Sequence, residues 1–171
     1  KMLLPAGVSA EGQGLWGSIG WATPACLGVA MAKTSGHTWM VTGDGSHQLT
    51  LNEIAVMGRY GVKPRIVVLN NGIYGAIRMH QELKYPGRPI ATALHNPDFI
   101  KYAEAMGLPA SRVEDHGQLV ATWHALRAST DGPFLIELIT DGLSIEAVIE
   151  RLVDLFRQRV PEEAWPGAGG D

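Results

Sequence analysis

A chain of 171 residues is long enough for one ordinary domain and short for two. With 46% apolar residues, 18% charged residues and a net charge of −3, it can close a core, which excludes a disordered chain. It has no basic run of the kind nucleic acid attracts, no apolar stretch long enough to cross a bilayer, and no secretory signal pattern.

Thr23-Pro24 opens a helix of small residues over 25–32 that can pack closely on its neighbours. The run TWMVT over 38–42 is brief and rich in branched apolar residues, as a strand is. Thr50-Leu51-Asn52-Glu53 has the form of a capping box, and Leu51, Ile54, Ala55 and Gly58 then fall on one helical face. RIVVL over 65–69 is a second strand. Asn96-Pro97 reads as an N-cap with proline at the first helical position. Phe99, Tyr102, Ala103 and Met106 repeat at helical spacing before a stop at Gly107. Leu119, Trp123 and Leu126 mark a further helix, broken at Asp131-Gly132-Pro133 ahead of a third strand, FLIELI, over 134–139. Ser144 caps a last helix, with Ile145, Val148, Ile149, Leu152 and Phe156 along one stripe.

None of the three strands alternates strictly, so each is expected to be covered on both sides. Strand–helix–strand alternation predicts an α/β fold, a doubly wound parallel sheet with helices on both faces. One domain is expected over 1–160, with a flexible tail over 161–171. The single cysteine, Cys26, cannot form an internal disulfide and fits a reducing, cytoplasmic compartment; a first residue that is Lys1 reads as a piece of something longer.

Ligands of open parallel sheets bind beyond the carboxyl ends of the strands. Two features sit at such ends: Gly43-Asp44-Gly45-Ser46 after the first strand, and Asn70-Asn71-Gly72 after the second. If these strands are neighbours, Asp44 and Asn71 converge. A carboxylate and an amide offer hard oxygen ligands suited to Mg²⁺, whose open positions water or phosphate oxygens fill. Gly43 and Gly45 let the backbone approach a ligand, and the Gly45 and Ser46 amides can receive phosphates. Taken singly, Gly-Asp-Gly and Asn-Asn-Gly are ordinary turns. It is the pair, in register, that points to a magnesium-bridged diphosphate.

GDGS followed by NN, with residues 47–69 between, resembles the thiamine-diphosphate signature of the superfamily of pyruvate, indolepyruvate and benzoylformate decarboxylases and acetolactate synthases. LWGSIGWATP over 15–24 resembles the GSIG segment of 2-oxo acid decarboxylases, GDGSHQLTLNEI resembles the same group, and TDGPFLIE over 130–137 is similar to its final strand. The whole chain is similar to the diphosphate-binding (PP) domain, the C-terminal third of such enzymes. The resemblance implies the thiamine-diphosphate-binding fold, with thiamine diphosphate and Mg²⁺ as cofactors. It implies Asp44, the Asn71 side chain and the Ile73 carbonyl as metal ligands. It implies cofactor contacts from Gly17, Ser18, Ile19, Gly43, Gly45, Ser46 and Tyr74. Among these, Gly45 and Ser46 would hold the diphosphate, the Gly17 carbonyl would accept from the aminopyrimidine, and Ile19 would wedge beneath the bend between the rings. On residues alone, Ile19 reads equally as ordinary core.

The likeness departs from the pyruvate-type pattern after the asparagines, where Ile77 occupies the position of a glutamate that takes part in the chemistry. An aliphatic side chain moves no proton but can line an apolar substrate pocket. The stretch through Met79-His80-Gln81-Glu82 looks more like acetolactate-synthase and benzoylformate-decarboxylase types.

No acid/base residue is expected in this chain. His47 is the one candidate, with a helix-start hydrogen bond as its plainer reading. His80 and Glu82 are expected on a loop or lid. The glutamate that activates the aminopyrimidine belongs, in this superfamily, to a pyrimidine-binding (PYR) domain that nothing here resembles. That implies a PYR partner, either a separate subunit or a missing N-terminal part, and a homo- or hetero-oligomer of at least two chains. The expected function is the diphosphate-binding portion of a 2-oxo acid decarboxylase, inactive alone. An acetolactate-synthase-type carboligase and a non-catalytic cofactor-binding module are the alternatives, with a flavodoxin-like nucleotide binder further off.

Overall fold

The computed structural model describes residues 9, 10, 12, 17–34 and 36–140, the side chain of His116 excepted. The chain divides into two compact units, Lys1–Gly17 with Ser144–Asp171, and Ser18–Leu143. The second unit holds a four-stranded sheet in the order β1-β2-β4-β3, all parallel: β1 (Trp39–Gly43), β2 (Arg65–Asn70), β3 (Ala110–Val113) and β4 (Phe134–Ile139). Its helices are α1 (Ala22–Ala32), α2 (Asp44–Gln48), α3 (Ile54–Tyr60), α4 (Gly75–Lys84), α5 (Phe99–Ala105) and α6 (Leu119–Ser129).

Period-two alternation divides the sheet's side chains between two faces. Met40, Ile66, Val68 and Leu135 share one face. There they pack with Cys26 and Leu27 of α1, Ile54 and Met57 of α3, and Phe99 and Ala103 of α5. Burying each aliphatic side chain of this size contributes roughly 1.5–3 kcal/mol. On the other face, Trp123 of α6 stacks on Trp39 at 4.2 Å between ring centroids and meets Phe134 edge-on at 4.9 Å. Helices on both faces agree with the doubly wound architecture read from the sequence.

The structure departs from the sequence reading in four places, and each has a local reason. The first strand is an edge strand among those described, and Val41 on it is 43% exposed, so β1 is not covered on both sides. The Thr50 hydroxyl makes no cap; it donates to the Gly20 carbonyl at 2.8 Å, and Leu51–Glu53 forms a 3-10 turn before α3 begins. The cap of α5 is Asp98, not Asn96, because its carboxylate accepts from the Ile100 and Lys101 amides. His80 and Glu82 lie on α4, a helix in place of the expected loop. The expected helix after Ser144 and the tail over 161–171 lie outside the described residues. Among the described residues no helix is long and apolar enough to cross a membrane.

Candidate functional site

The parallel register places the ends of β1 and β2 side by side, with Gly43 opposite Leu69. Asp44, the next residue after β1, is 2% exposed. Its Oδ1 accepts from the Gly45 amide at 2.9 Å, and its Oδ2 from the Gly72 amide at 2.8 Å. The bond from Gly72 ties the carboxylate directly to the Asn70-Asn71-Gly72 turn. Thus the two halves of the motif meet at one edge of the sheet.

Counting acceptor positions shows what each oxygen has left. A carboxylate oxygen accepts about two hydrogen bonds. Oδ2 takes a second donor, Asn96 Nδ2, at 2.8 Å, so it is filled, whereas among the described residues Oδ1 carries one donor and keeps one open position. Asn70 Oδ1 is likewise filled, by the Gly72 amide at 3.1 Å and Asn96 Nδ2 at 2.8 Å. Among the described residues, Asn71 Oδ1 accepts only from the Ile73 amide, at 3.1 Å. Of the two asparagines, the second therefore keeps oxygen capacity for a cation. An isolated antiparallel bridge pairs Ile73 with Ala93 through Tyr74 N–H to the Thr92 carbonyl and Leu94 N–H to the Gly72 carbonyl, both 2.8 Å. That pattern leaves the Ile73 carbonyl out of the pairing.

The donors on Asp44 are all neutral, and among the described residues no cationic side chain pairs with it. A buried carboxylate without a counter-ion is costly, and a dication would compensate it. The same residues form no group of three or more His, Cys, Asp or Glu side chains able to hold a metal. A cation at Asp44 must therefore draw on amide and carbonyl oxygens, the hard set that suits Mg²⁺. The Asp44, Asn71 and Ile73 set fits such an ion.

The GSIG segment reaches the same turn. Gly20 N–H donates to Ser46 Oγ at 2.9 Å while Thr50 Oγ1 donates to its carbonyl. A Cβ at Gly20, which sits at φ +91°, would lie 3.1 Å from Thr50 Cγ2 and 3.2 Å from Leu49 Cβ. This clamp holds Ser18–Gly20 beside α2, leaves Ile19 48% exposed, and keeps the Ser46 hydroxyl hydrogen able to donate. Exposure is what a wedge against a ligand needs and what an ordinary core residue lacks. Gly17 has φ +57° and belongs to the other unit. Gly43 is exposed at the end of β1.

Gly45 is buried, and its missing side chain leaves room for the Tyr74 ring. A Cβ there would lie 2.8 Å from Tyr74 Cδ1 and 2.9 Å from Leu94 Cδ1, so the close approach is by the Tyr74 ring. His47 lies inside the fold with its ring 5.5 Å from that of Phe99. Neither of its nitrogens finds a partner among the described residues, and burial pushes the imidazole down to about 4. It is therefore neutral near pH 7, and the local hydrogen bond of its plainer reading is not made.

Further participants escaped the sequence reading. Asn96 bridges Asp44 and Asn70, and Gln48 Nε2 donates to its Oδ1 at 3.0 Å. Glu137, fully buried, accepts from Asn70 Nδ2 at 2.6 Å and from Arg112 Nε at 2.7 Å. That hydrogen bond raises the Arg112 pKa above its already high ordinary value. Asp98, held below the usual carboxylate range by the Lys101 amide and then by Arg112, lies beyond it. One signal for Asn96 was present: Asn96-Pro97-Asp98 contains two possible caps, and the one not used is free for other work.

A family model described as "Thiamine pyrophosphate enzyme, C-terminal TPP binding domain" matches residues 5–138. The alpha-keto-acid decarboxylase of Mycolicibacterium paratuberculosis is 37% identical over 168 residues, 93% of this chain and 28% of that protein. The mitochondrial acetolactate synthase catalytic subunit of Aspergillus candidus is 36% identical over 125 residues, 73% of this chain and 18% of that protein. Among solved structures, the thiamine diphosphate-dependent 4-hydroxybenzoylformate decarboxylase of Rhodococcus jostii RHA1 superposes with a TM-score of 0.66 at 27% identity. The match covers 72% of this chain and 23% of that one. The chain thus spans roughly a fifth to a quarter of the length of these relatives.

Proposed function

Since the chain belongs to the thiamine pyrophosphate enzyme family, as its C-terminal TPP-binding domain, we propose that it is the Mg²⁺- and diphosphate-holding portion of a 2-oxo acid decarboxylase. The observation that carries this reading is the bond from Gly72 N–H to Asp44 Oδ2, which joins the two halves of the motif around a carboxylate without a counter-ion. Asp44 through Oδ1, Asn71 through Oδ1 and Ile73 through its carbonyl would hold Mg²⁺. Ser46 would hold the diphosphate, with Gly43, Gly45 and Tyr74 beside it, since the Gly45 amide already donates to Asp44 Oδ1. Ser18 and the exposed Ile19 would face the rings. Bound thiamine diphosphate supplies the electron sink that loss of CO₂ from a 2-oxo acid requires. The chain's own residues would grip, place and shield.

Decarboxylation is favoured over carboligation by extent of likeness, since the decarboxylase relative matches 93% of the chain and the acetolactate synthase 73%. Ile77, 43% exposed on α4, fits an apolar wall for the substrate. The activating glutamate would come from a PYR domain, in an oligomer of cytoplasmic location. The test is product analysis of the purified native protein with Mg²⁺, thiamine diphosphate and pyruvate or an aromatic 2-oxo acid. Aldehyde and CO₂ in equal amounts are expected. Acetolactate from pyruvate would assign the carboligase reading, and no turnover with undiminished cofactor binding would leave a binding module.

A further inference from the structure

The metal-facing carboxylate is held from behind by a side chain outside the motif. Asn96 lies between α4 and α5, in a segment that the sequence presents as a helix cap. Its Nδ2 donates to Asp44 Oδ2 and to Asn70 Oδ1, both at 2.8 Å, which uses both amide hydrogens. A carboxylate only accepts, so the nitrogen must face it, and the Asn96 oxygen turns the other way to accept from Gln48 Nε2. Gln48 is itself anchored, donating to the His95 carbonyl at 3.1 Å.

We propose that Asn96 is a positioning residue that makes Asp44 a one-oxygen ligand and so sets the site's preference for Mg²⁺ over Ca²⁺. The inference rests on the reading of Asp44 as a Mg²⁺ ligand. Mg²⁺ requires near-ideal octahedral geometry and takes single carboxylate oxygens, whereas Ca²⁺ tolerates seven or eight ligands and bidentate carboxylates. With Gly72 and Asn96 both on Oδ2, bidentate coordination would need one of those bonds to break. Without the Asn96 donor, Oδ2 keeps only the Gly72 amide, and the carboxylate can turn to present both oxygens. The same loss would free Asn70 Oδ1, a second route to a larger and looser coordination shell. Asn70 is braced on its far side, because its Nδ2 donates to Glu137, and the brace passes on to Arg112.

The experiment is calorimetric titration of Mg²⁺ and of Ca²⁺ into the purified native protein with thiamine diphosphate present, for wild type, Asn96→Ala, Gln48→Ala and Asp44→Ala. Asn96→Ala is expected to weaken Mg²⁺ about 10–100-fold, the usual effect of losing a partner behind a metal ligand, and Ca²⁺ clearly less, so the Mg²⁺/Ca²⁺ affinity ratio falls. Gln48→Ala leaves the Asn96 amide present but unanchored and should move the ratio the same way by a smaller factor. A role in folding alone would weaken both ions equally; an unchanged ratio in both variants overturns the proposal. If Asn96→Ala does not fold by circular dichroism, the Gln48→Ala ratio decides. Asp44→Ala separates the two levels of argument: undiminished metal binding there refutes the Mg²⁺ reading. Lost binding there with an unmoved ratio in the other variants refutes only the role of Asn96.

Discussion

Replacing Asp44 by asparagine changes one charge and almost no volume, and the hydrogen-bond geometry dictates how the amide will sit. If the new carbonyl takes the place of Oδ2, it keeps the donors Gly72 N–H and Asn96 Nδ2 and turns its NH₂ toward the Gly45 amide, losing one bond. The reverse orientation loses two. The first therefore wins, and it puts NH₂ where the open oxygen position had been. One unsatisfied buried N–H costs about 1–3 kcal/mol. Removing a buried carboxylate that has no counter-ion returns a similar amount, since the penalty is several kcal/mol per buried ion. Without ligands, Asp44→Asn should thus unfold within about 2 kcal/mol of wild type. With Mg²⁺ and thiamine diphosphate at a hundred times the dissociation constant, wild type should gain roughly 2.7 kcal/mol, and the variant almost nothing. Urea unfolding of the native protein and of the variant, each with and without the two ligands, reads both numbers. An equal ligand-induced gain in the two proteins would refute the assignment of Asp44.

Two further predictions follow from burial. Gly45→Ala forces a methyl against the Tyr74 ring and the Leu94 side chain, and should cost about 1–3 kcal/mol in urea unfolding; because Tyr74→Ala removes the ring and leaves only the Leu94 contact, the double variant should be less destabilised than the two losses combined, and strict additivity would contradict the contact. His47 titrates near 4 in the fold against an ordinary 6.5. A base with a lowered folded pKa leaves the unfolded chain binding the extra proton, so its contribution is full above pH 6.5 and is lost as pH falls from there to 4, by up to about 1.4 kcal/mol per pH unit and roughly 3 kcal/mol in all. His47→Leu should flatten the acid limb of the stability–pH curve by that amount, and an unchanged limb would show that the imidazole is not buried as placed.

The elements legible in the sequence were those whose side chains face the core. RIVVL and FLIELI became β2 and β4 because they are the central strands, buried almost throughout, and Phe99, Trp123 and Leu126 marked α5 and α6 for the same reason. β3 was missed because ASRV has little apolar content; its place comes from pairing beside β4, with Arg112 opposite Glu137. Helix α4 was missed because it has no buried residue, and Ile77, Met79 and Leu83 are all exposed, so no stripe faces a core. The capping box failed because the Thr50 hydroxyl had a better partner thirty residues earlier, in a carbonyl that only tertiary structure brings near. In the candidate site, the motif residues were legible because their spacing follows from one crossover of the sheet. Asn96, Gln48 and Glu137 were not, because they enter through bonds between segments that share no local pattern.

All four strands are parallel and end at one edge, so topology by itself offers several crevices for a ligand. Charge distinguishes them. At the β4/β3 end, a crevice of about 400 Å³ lined by Arg112, Glu114 and Glu137 contains an ion pair already closed on itself, and Arg112 reaches Asp98 as well. A cation there would compete with a guanidinium bonded to Glu137 at 2.7 Å. At the β1/β2 end, Asp44 has neutral donors only among the described residues, and Asn71 and Ile73 add oxygens without charge. Asn70 and Asn96 join the two ends through neutral amides, with the Arg112 guanidinium bonded to Glu137 and Asp98. On the proposed reading, a dication is drawn to the end whose carboxylate has no counter-ion among the described residues, and a diphosphate carried by it would lie beside Gly45 and Ser46 at the start of α2.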